Sequence, residues 1–306
     1  MRAMVLAAGF GTRFQPVTFT LPKPLVPVCN RPLMAWPMQS FVDAGITDFV
    51  VNVHHLPEVI RERLPREFPQ AHFDFSLEET EILGTGGGVR RARALLERDD
   101  ELFLANGDTV QSVPVGALLR ARRERGAMAA LTLRHPPAGD YFTPVFFEDG
   151  RVTGFGSGSG EPLMFSGSHC ISARIFRHMP DQDVFGMVDA VYQPLLRQGE
   201  IIAAVVDDDP RWFDIGTPRR YLAASRGLCG GNTVGARSVV EGTLRDTVVW
   251  DDCRIAAAVT LESCIVAHGV TIGRGAYRNA LICRDDPAIP RDFDARFEDG
   301  LVIRQL

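Results

Sequence analysis

Apolar positions in this chain fall first into short dense segments and later onto a fixed step, and the two patterns predict two kinds of structure. Met4-Val5-Leu6, Phe49–Val53, Phe73–Leu77, Leu102–Ala105, Met128–Leu133 and Ile201–Val206 have the length and apolar content of strands. Helical spacing lies between and after them, over 32–44 (apolar Leu33, Met34, Trp36 and Phe41, stop at Gly45), 58–64, 89–96, 115–125, 187–196 and 219–225. Pro37 falls in the first turns of its helix, where a missing N–H is tolerated. Strands alternating with helices argue for βαβ units, so the expected fold class is α/β, a Rossmann-like, mostly parallel sheet flanked by helices. Right-handed crossovers then place ligands at the carboxyl ends of the strands.

The pattern changes after Gly227–Asn232. Helical periodicity ends, and Val249, Ile255 and Leu261 lie six apart, with Val266 and Ile272 continuing after a five-residue step. That spacing is the mark of a short left-handed parallel β-helix built from hexapeptide turns; irregular strands packed on the main domain are the other reading. The expected division is therefore 1–226, an α/β domain, and 227–306, a β-helix-like domain. Residues 135–160 read as loop with a flexible tip at Gly156–Gly160, and Leu301-Val302-Ile303 as a final strand.

Composition narrows the function. The 306 residues are 45% apolar and 23% charged with net charge −5, which offers no general basic field to nucleic acid. Arg90-Arg91-Ala92-Arg93 and Arg120-Ala121-Arg122-Arg123 are expected as solvated helix faces. The six cysteines form no Cys-x-x-Cys pair, so free thiols in a reducing cytosol are expected. No apolar run approaches the ~18 residues of a membrane span, and Met4–Ala8 is too short for a secretory apolar region. The expected location is cytoplasmic, with neither membrane nor nucleic acid as partner.

The chemistry concentrates at Leu6-Ala7-Ala8-Gly9-Phe10-Gly11-Thr12-Arg13 and at Pro22-Lys23-Pro24. Ala7, Ala8 and Gly9 remove side-chain bulk at the end of a strand, and Gly9 and Gly11 let backbone N–H groups approach a phosphate. Arg13 adds a forked cationic donor, and two prolines restrict the backbone that carries Lys23. The stretch lacks the third glycine of a dinucleotide fingerprint and the Gly-Lys-Ser/Thr of a P-loop. Two glycines alone also suit an ordinary tight turn. Downstream, Glu81-Ile82-Leu83-Gly84-Thr85-Gly86-Gly87-Gly88 runs into a helix, which suits an anion at a helix N-terminus or simply a loop. Asp108 follows an apolar strand, where it serves either a ligand edge or a turn. Thr217-Pro218 is a good N-cap and first helical residue. His169 has no evident nucleophile partner and reads as packed beside its strand.

Taken together, Leu-Ala-Ala-Gly-x-Gly-x-Arg with Pro-Lys-Pro, Leu83–Gly88, Phe103-Leu104-Ala105-Asn106-Gly107-Asp108, Phe165-Ser166-Gly167 and Trp212-Phe213-Asp214-Ile215-Gly216-Thr217-Pro218 resemble the sugar-1-phosphate nucleotidylyltransferases over roughly residues 1–225. The resemblance implies that Leu6, Ala7, Ala8, Gly9, Gly11, Thr12, Arg13 and Lys23, with Glu81, Gly84, Thr85 and Gly86, hold a nucleoside triphosphate. It implies that Asn106 and Gly167 make room for the sugar, that Asp108 and Asp214 share one Mg²⁺, and that Arg13, Lys23 and Asp108 are catalytic. Several members carry a tail of hexapeptide type for oligomer contacts, which implies either a homo-oligomer through that domain or an apolar face closed on the catalytic domain. Many members carry Glu-Lys-Pro where this chain has Gly160-Glu161-Pro162; the missing lysine and the triple glycine lean toward the uridylyltransferases for N-acetylmuramate 1-phosphate. Guanylyl transfer to a mannose- or heptose-type 1-phosphate is the alternative.

The implied reaction is attack of a sugar-phosphate oxygen on the α-phosphorus of a nucleoside triphosphate, with pyrophosphate leaving. The attacking oxygen is already ionised, so no general base is required, and positioning plus charge stabilisation carry the rate. Two rivals come from other classes. One is a non-catalytic nucleotide-sensing regulatory subunit, and the other a dinucleotide-binding oxidoreductase suggested only by the glycine loop.

Overall fold

A run of residues apolar on both faces has to be covered on both faces, and the first strand, Arg2–Leu6, shows why it begins the fold: Ala3, Met4 and Val5 are fully buried. The computed structural model describes every residue except Ala138 and Asp140. The first strand pairs in parallel with Asp48–Val53 on one side and with Glu101–Asn106 on the other. The resulting nine-stranded sheet has the order His72–Leu77, Asp48–Val53, Arg2–Leu6, Glu101–Asn106, Glu161–Ser172, Ala129–Arg134, Ile202–Val206, Arg151–Phe155, Val145–Glu148. Four strands on one side are parallel; the long strand Glu161–Ser172 runs antiparallel to both its main neighbours.

The register matters for function. Leu6 lies opposite Asn52 on one flank and Asn106 on the other, and Asn52 opposite Ser76, so four parallel strands end at one edge. Gly107 N–H donates to the Leu6 carbonyl at 2.9 Å and holds that edge closed.

By packing, the chain divides into a sheet unit, Met1–Gly9 with Met34–Trp212, and a coil unit, Phe10–Leu33 with Phe213–Leu306, where the sequence suggested a boundary at 226/227. The segment 10–33 belongs to the coil unit through specific contacts. Tyr221 Oη donates to the Pro27 carbonyl at 2.5 Å, Phe14 meets Tyr221 edge-on at 5.9 Å, and Asn30 Nδ2 donates to the Val234 carbonyl at 3.1 Å. Cys29 and Cys229 form a disulfide with Cα atoms 5.9 Å apart, which corrects the expectation of free thiols at these two positions. Spacing could not reveal a pair 200 residues apart in sequence.

In the coil unit, successive turns of chain each add one strand to three parallel ladders. The first ladder stacks Thr233–Val234, Val248–Val249, Ile265–Val266 and Ala280–Arg284; the second Val239–Val240, Arg254–Ile255 and Thr271–Ile272; the third Thr243–Arg245, Val259–Glu262 and Gly275–Arg278. Val249, Ile255, Leu261, Val266 and Ile272, the residues picked out by their step, are all buried in one core. Asp246, Ser263 and Asn279 turn equivalent corners with positive φ, which short polar side chains tolerate. Leu301–Gln305 closes the first ladder as an antiparallel strand.

Three local expectations change. Residues 145–148 and 151–155 form a hairpin inside the stretch read as loop, turned by Asp149 and Gly150 at positive φ. The helix expected over 187–196 begins with a π turn, Val188–Tyr192, before Gln193–Arg197. Arg122 and Arg123, expected on a solvated face, both bind Glu101, and Arg122 is buried. Thiol titration tests the disulfide: the unfolded, unreduced protein is expected to show four thiols, Cys170, Cys253, Cys264 and Cys283, and six after reduction.

Candidate active site

Each unit contributes its own set of candidate residues. In the sheet unit, the first glycine stretch leaves the sheet directly after Leu6. Ala7 N–H donates to Asn52 Oδ1 at 2.8 Å, and Ala7 and Ala8 are buried while Gly9 is exposed. Asp108 sits in the turn between the strand Glu101–Asn106 and Thr109–Val110, partly exposed and at the same edge as Ala7. Gly167 holds φ +95, and a Cβ there would come within 2.5 Å of Asn106 Nδ2, so the glycine is required and the two residues assigned to the sugar lie against each other.

The second glycine run is an unusually close helix entry. Gly84–Arg91 is helical, and Glu81 and Thr85 are exposed. The N–H groups of Gly86 and Gly87 donate to the Phe185 carbonyl at 2.9 and 3.1 Å, and Thr85 Oγ1 accepts from Met187 N–H at 3.0 Å. Side chains at 86 and 87 would collide with the 183–185 segment, and one at 88 would lie 2.7 Å from Glu78 Oε1. The triple glycine therefore has a packing reason of its own: two helix-terminal amides are committed to the protein rather than to an anion.

Sequence reasoning passed over Asn52 and Glu78, which are 3% and 1% exposed. Their only sequence signal was a polar residue within, and another just beyond, strands that are otherwise apolar at those positions. Where Glu-Lys-Pro is common, Glu161 instead accepts from His135 Nε2 at 2.9 Å, and His135 Nδ1 meets Asp208 at 2.8 Å. Arg134 is buried beside them, its guanidinium 4.9 Å from the Trp212 ring. His169 is buried against Tyr192 Oη and Phe165, and burial pushes its pKa down to about 3, so it is a neutral packing residue.

In the coil unit, Thr12–Phe14 forms a 3-10 turn entered by Gly11 at φ +64, and after a second at Val17–Phe19, Lys23 begins a third. Lys23 is 6% exposed, and its Cβ packs so closely on Gly11 that a Cβ there would lie 2.8 Å away. Asp214 Oδ2 accepts from Arg220 Nη1 at 2.7 Å, and both Asp214 Oδ2 and Arg13 Nη1 lie 3.1 Å from where a Gly216 Cβ would be. Arg13 and Asp214 thus flank one glycine. Thr217 caps the helix Pro218–Cys229 as its sequence predicts, accepting from Arg220 N–H at 3.2 Å. The C-terminal strand also reaches this loop: Arg304 Nη1 donates to the carbonyls of Arg13 at 3.2 Å and Gln15 at 2.5 Å, with Phe293 between Arg304 and Phe19.

Asp108 and Asp214 are hard oxygen donors, and a carboxylate that accepts one hydrogen bond, as Asp214 does from Arg220, retains further lone pairs. That donor chemistry fits Mg²⁺, which takes one or two carboxylates together with phosphate oxygens.

Residues 2–156, half of the chain, match the family described as Nucleotidyl transferase. The chain belongs to the nucleotidyl transferase family. It is 28% identical over 237 residues to the mannose-1-phosphate guanyltransferase of Hypocrea jecorina, a match covering 74% of this chain and 63% of that one. It is 26% identical over 308 residues to the probable mannose-1-phosphate guanylyltransferase 3 of Oryza sativa subsp. japonica, covering 90% and 84%. The match thus spans less than two thirds of the fungal relative's length. Among solved structures, HddC from Yersinia pseudotuberculosis shares the fold with a TM-score of 0.61 at 23% identity, covering 74% of this chain and 99% of that one. For this family member no described helix is long and apolar enough to cross a membrane.

Two outcomes follow from this geometry. Hydrogen bonds that the His135 ring donates to Asp208 and Glu161 raise its pKa above the ordinary value. The charged bridge is then complete below about pH 6.5 and is lost as pH rises through the elevated midpoint. An NMR titration should show that midpoint above the ordinary value, and lower in Asp208→Asn. Second, Arg304→Ala should release the Arg13–Gln15 turn, so that trypsin cuts after Arg13 earlier than in the parent protein, as read by mass spectrometry of a timed digest.

Proposed function

We propose that this chain is a sugar-1-phosphate nucleotidylyltransferase that transfers a guanylyl group to a mannose- or heptose-type 1-phosphate and releases pyrophosphate. The observation that carries the reading is the register of the sheet. Leu6 paired with both Asn52 and Asn106 brings the glycine stretch 7–9 and the Asp108 turn out of one strand edge, where α/β folds bind ligands. The names of the relatives favour guanylyl over the uridylyl transfer toward which the triple glycine leaned. Packing on Phe185 already accounts for Gly86 and Gly87, which weakens them as a mark of one nucleotide.

The residue roles follow from chemistry. Backbone groups of Ala8, Gly9 and Gly11, with Thr12, receive the triphosphate, and Arg13 takes the charge that develops on the leaving pyrophosphate. Lys23, held buried between prolines, holds the α-phosphate or the sugar phosphate. Glu81, Gly84, Thr85 and Gly86 border the base, and Asn106 and Gly167 the sugar. Asp108 and Asp214 are the carboxylates assigned to Mg²⁺, which when bound offsets phosphate charge. The hexapeptide step supports left-handed winding of the coils. Val234 and Val239, 40% and 47% exposed, support self-association through the coil unit.

The test is pyrophosphate release with Mg²⁺ across five nucleoside triphosphates and a panel of sugar 1-phosphates. GTP with mannose 1-phosphate or a heptose 1-phosphate is expected to turn over, and Asp108→Asn to lose at least about a hundredfold, the scale of a lost charge-stabilising group. Turnover with UTP alone would restore the uridylyl reading. Nucleotide binding without turnover on any pair would favour the regulatory subunit.

A further inference from the structure

Two nucleotide-binding segments far apart in sequence are joined beneath the sheet edge by one buried chain of side-chain hydrogen bonds. Ala7 N–H donates to Asn52 Oδ1 at 2.8 Å, Asn52 Nδ2 donates to Glu78 Oε1 at 2.7 Å, and Leu83 N–H donates to Glu78 Oε2 at 2.8 Å. Both ends of the chain are backbone N–H groups, which only donate. Their polarity fixes the amide orientation of Asn52 and leaves both carboxyl oxygens of Glu78 as acceptors. The backbone of Glu78 is held as well, its N–H donating to the Val53 carbonyl at 2.9 Å and its carbonyl meeting His54 Nδ1 at 2.6 Å.

The bridge shapes what lies over it. A Cβ at Gly88 would lie 2.7 Å from Glu78 Oε1 and 2.9 Å from Asn52 Nδ2, so the third glycine of the run is the residue that lets the helix Gly84–Arg91 settle on the bridge. Glu78, Leu83 and Gly87 also line a cavity of 570 Å³, within the range of small-molecule sites. No role in binding or chemistry is otherwise assigned to Asn52 or Glu78.

We propose that Asn52 and Glu78 are positioning residues: their bridge fixes the 7–9 stretch and the helix entry at 83–88 relative to each other, and thereby sets the affinity for the nucleotide. The proposal rests on the nucleotide reading above. A bond network of this kind is intolerant of a one-atom change. In Glu78→Gln, whichever way the amide turns, one of its partners faces a donor with a donor. In Asn52→Asp, an acceptor faces an acceptor. In Asn52→Asp with Glu78→Gln together every bond is restored with the polarity of the central pair reversed. The new carboxylate at position 52 accepts from Ala7 N–H and from the new amide at position 78, and the oxygen of that amide accepts from Leu83 N–H.

The experiment measures equilibrium binding of GTP–Mg²⁺ and UTP–Mg²⁺, and kcat and both KM values where the protein turns over, for the parent, the two single variants and the double variant. Each single variant is expected to weaken binding of the preferred nucleotide about tenfold or more, the effect of a buried unpaired polar group. The sugar-phosphate KM should stay within about twofold, and the double variant should return to within about threefold of the parent. A double variant as weak as the product of the singles overturns the proposal. So do single variants that bind like the parent, or that raise both KM values alike. Should a single variant fail to fold, recovery of folding in the double variant is the supporting result and its failure the contrary one. A parent that binds nucleotide without turnover removes the transferase reading, and the binding series still decides the bridge.

Discussion

Parallel pairing of the first strand on both its flanks is the constraint from which the rest of the sheet unit follows. Parallel strands joined by crossovers must be covered on both faces, which is why Ala3, Met4 and Val5 are fully buried. With Leu6 fixed opposite Asn52 and Asn106, the chain has to leave the sheet at Ala7 and at Gly107 along one line, with Val53 the last paired residue of the strand on the other flank. The hydrogen bond from Gly107 to Leu6 and the one from Ala7 to Asn52 then tie those exits together. A one-residue slip of the first strand would turn every one of its side chains to the other face and break both bonds.

The molecule uses small residues where backbone comes close to something else. Gly167 admits Asn106, Gly86 and Gly87 admit the 183–185 segment, and in the coil unit Gly11 admits the Lys23 side chain. This crowding is protein against protein, and it fixes loops whose own secondary structure is slight, such as the 3-10 turns at 12–14 and 23–25. The coil unit holds its 10–33 segment by further means: a disulfide at Cys29, a caged Tyr221, and Arg304 on two carbonyls of the loop.

The sequence made much of the fold legible, because strand and helix periods are local. The step through Val249, Ile255, Leu261, Val266 and Ile272 marked the buried face of the coils directly. The hairpin at 145–155 was hidden because its strands have only four and five residues, so the alternation along Arg151–Phe155 covers too few positions to stand out from the loops around it. Of the candidate site, the glycine stretch, Asp108 and the Thr217 cap could be read locally. Asn52, Glu78 and the Cys29–Cys229 pair could not, because each gains its meaning from a partner brought close only by the fold.

The most direct measurement of the central claim, that nucleotide is held by the segments at the carboxyl edge of the parallel strands, is hydrogen exchange followed by mass spectrometry with and without GTP–Mg²⁺. Slowed exchange concentrated in peptides spanning Ala7–Arg13 and Leu83–Gly88 is the predicted result. Slowed exchange confined to the ladders of the coil unit, with those two segments unchanged, would contradict it.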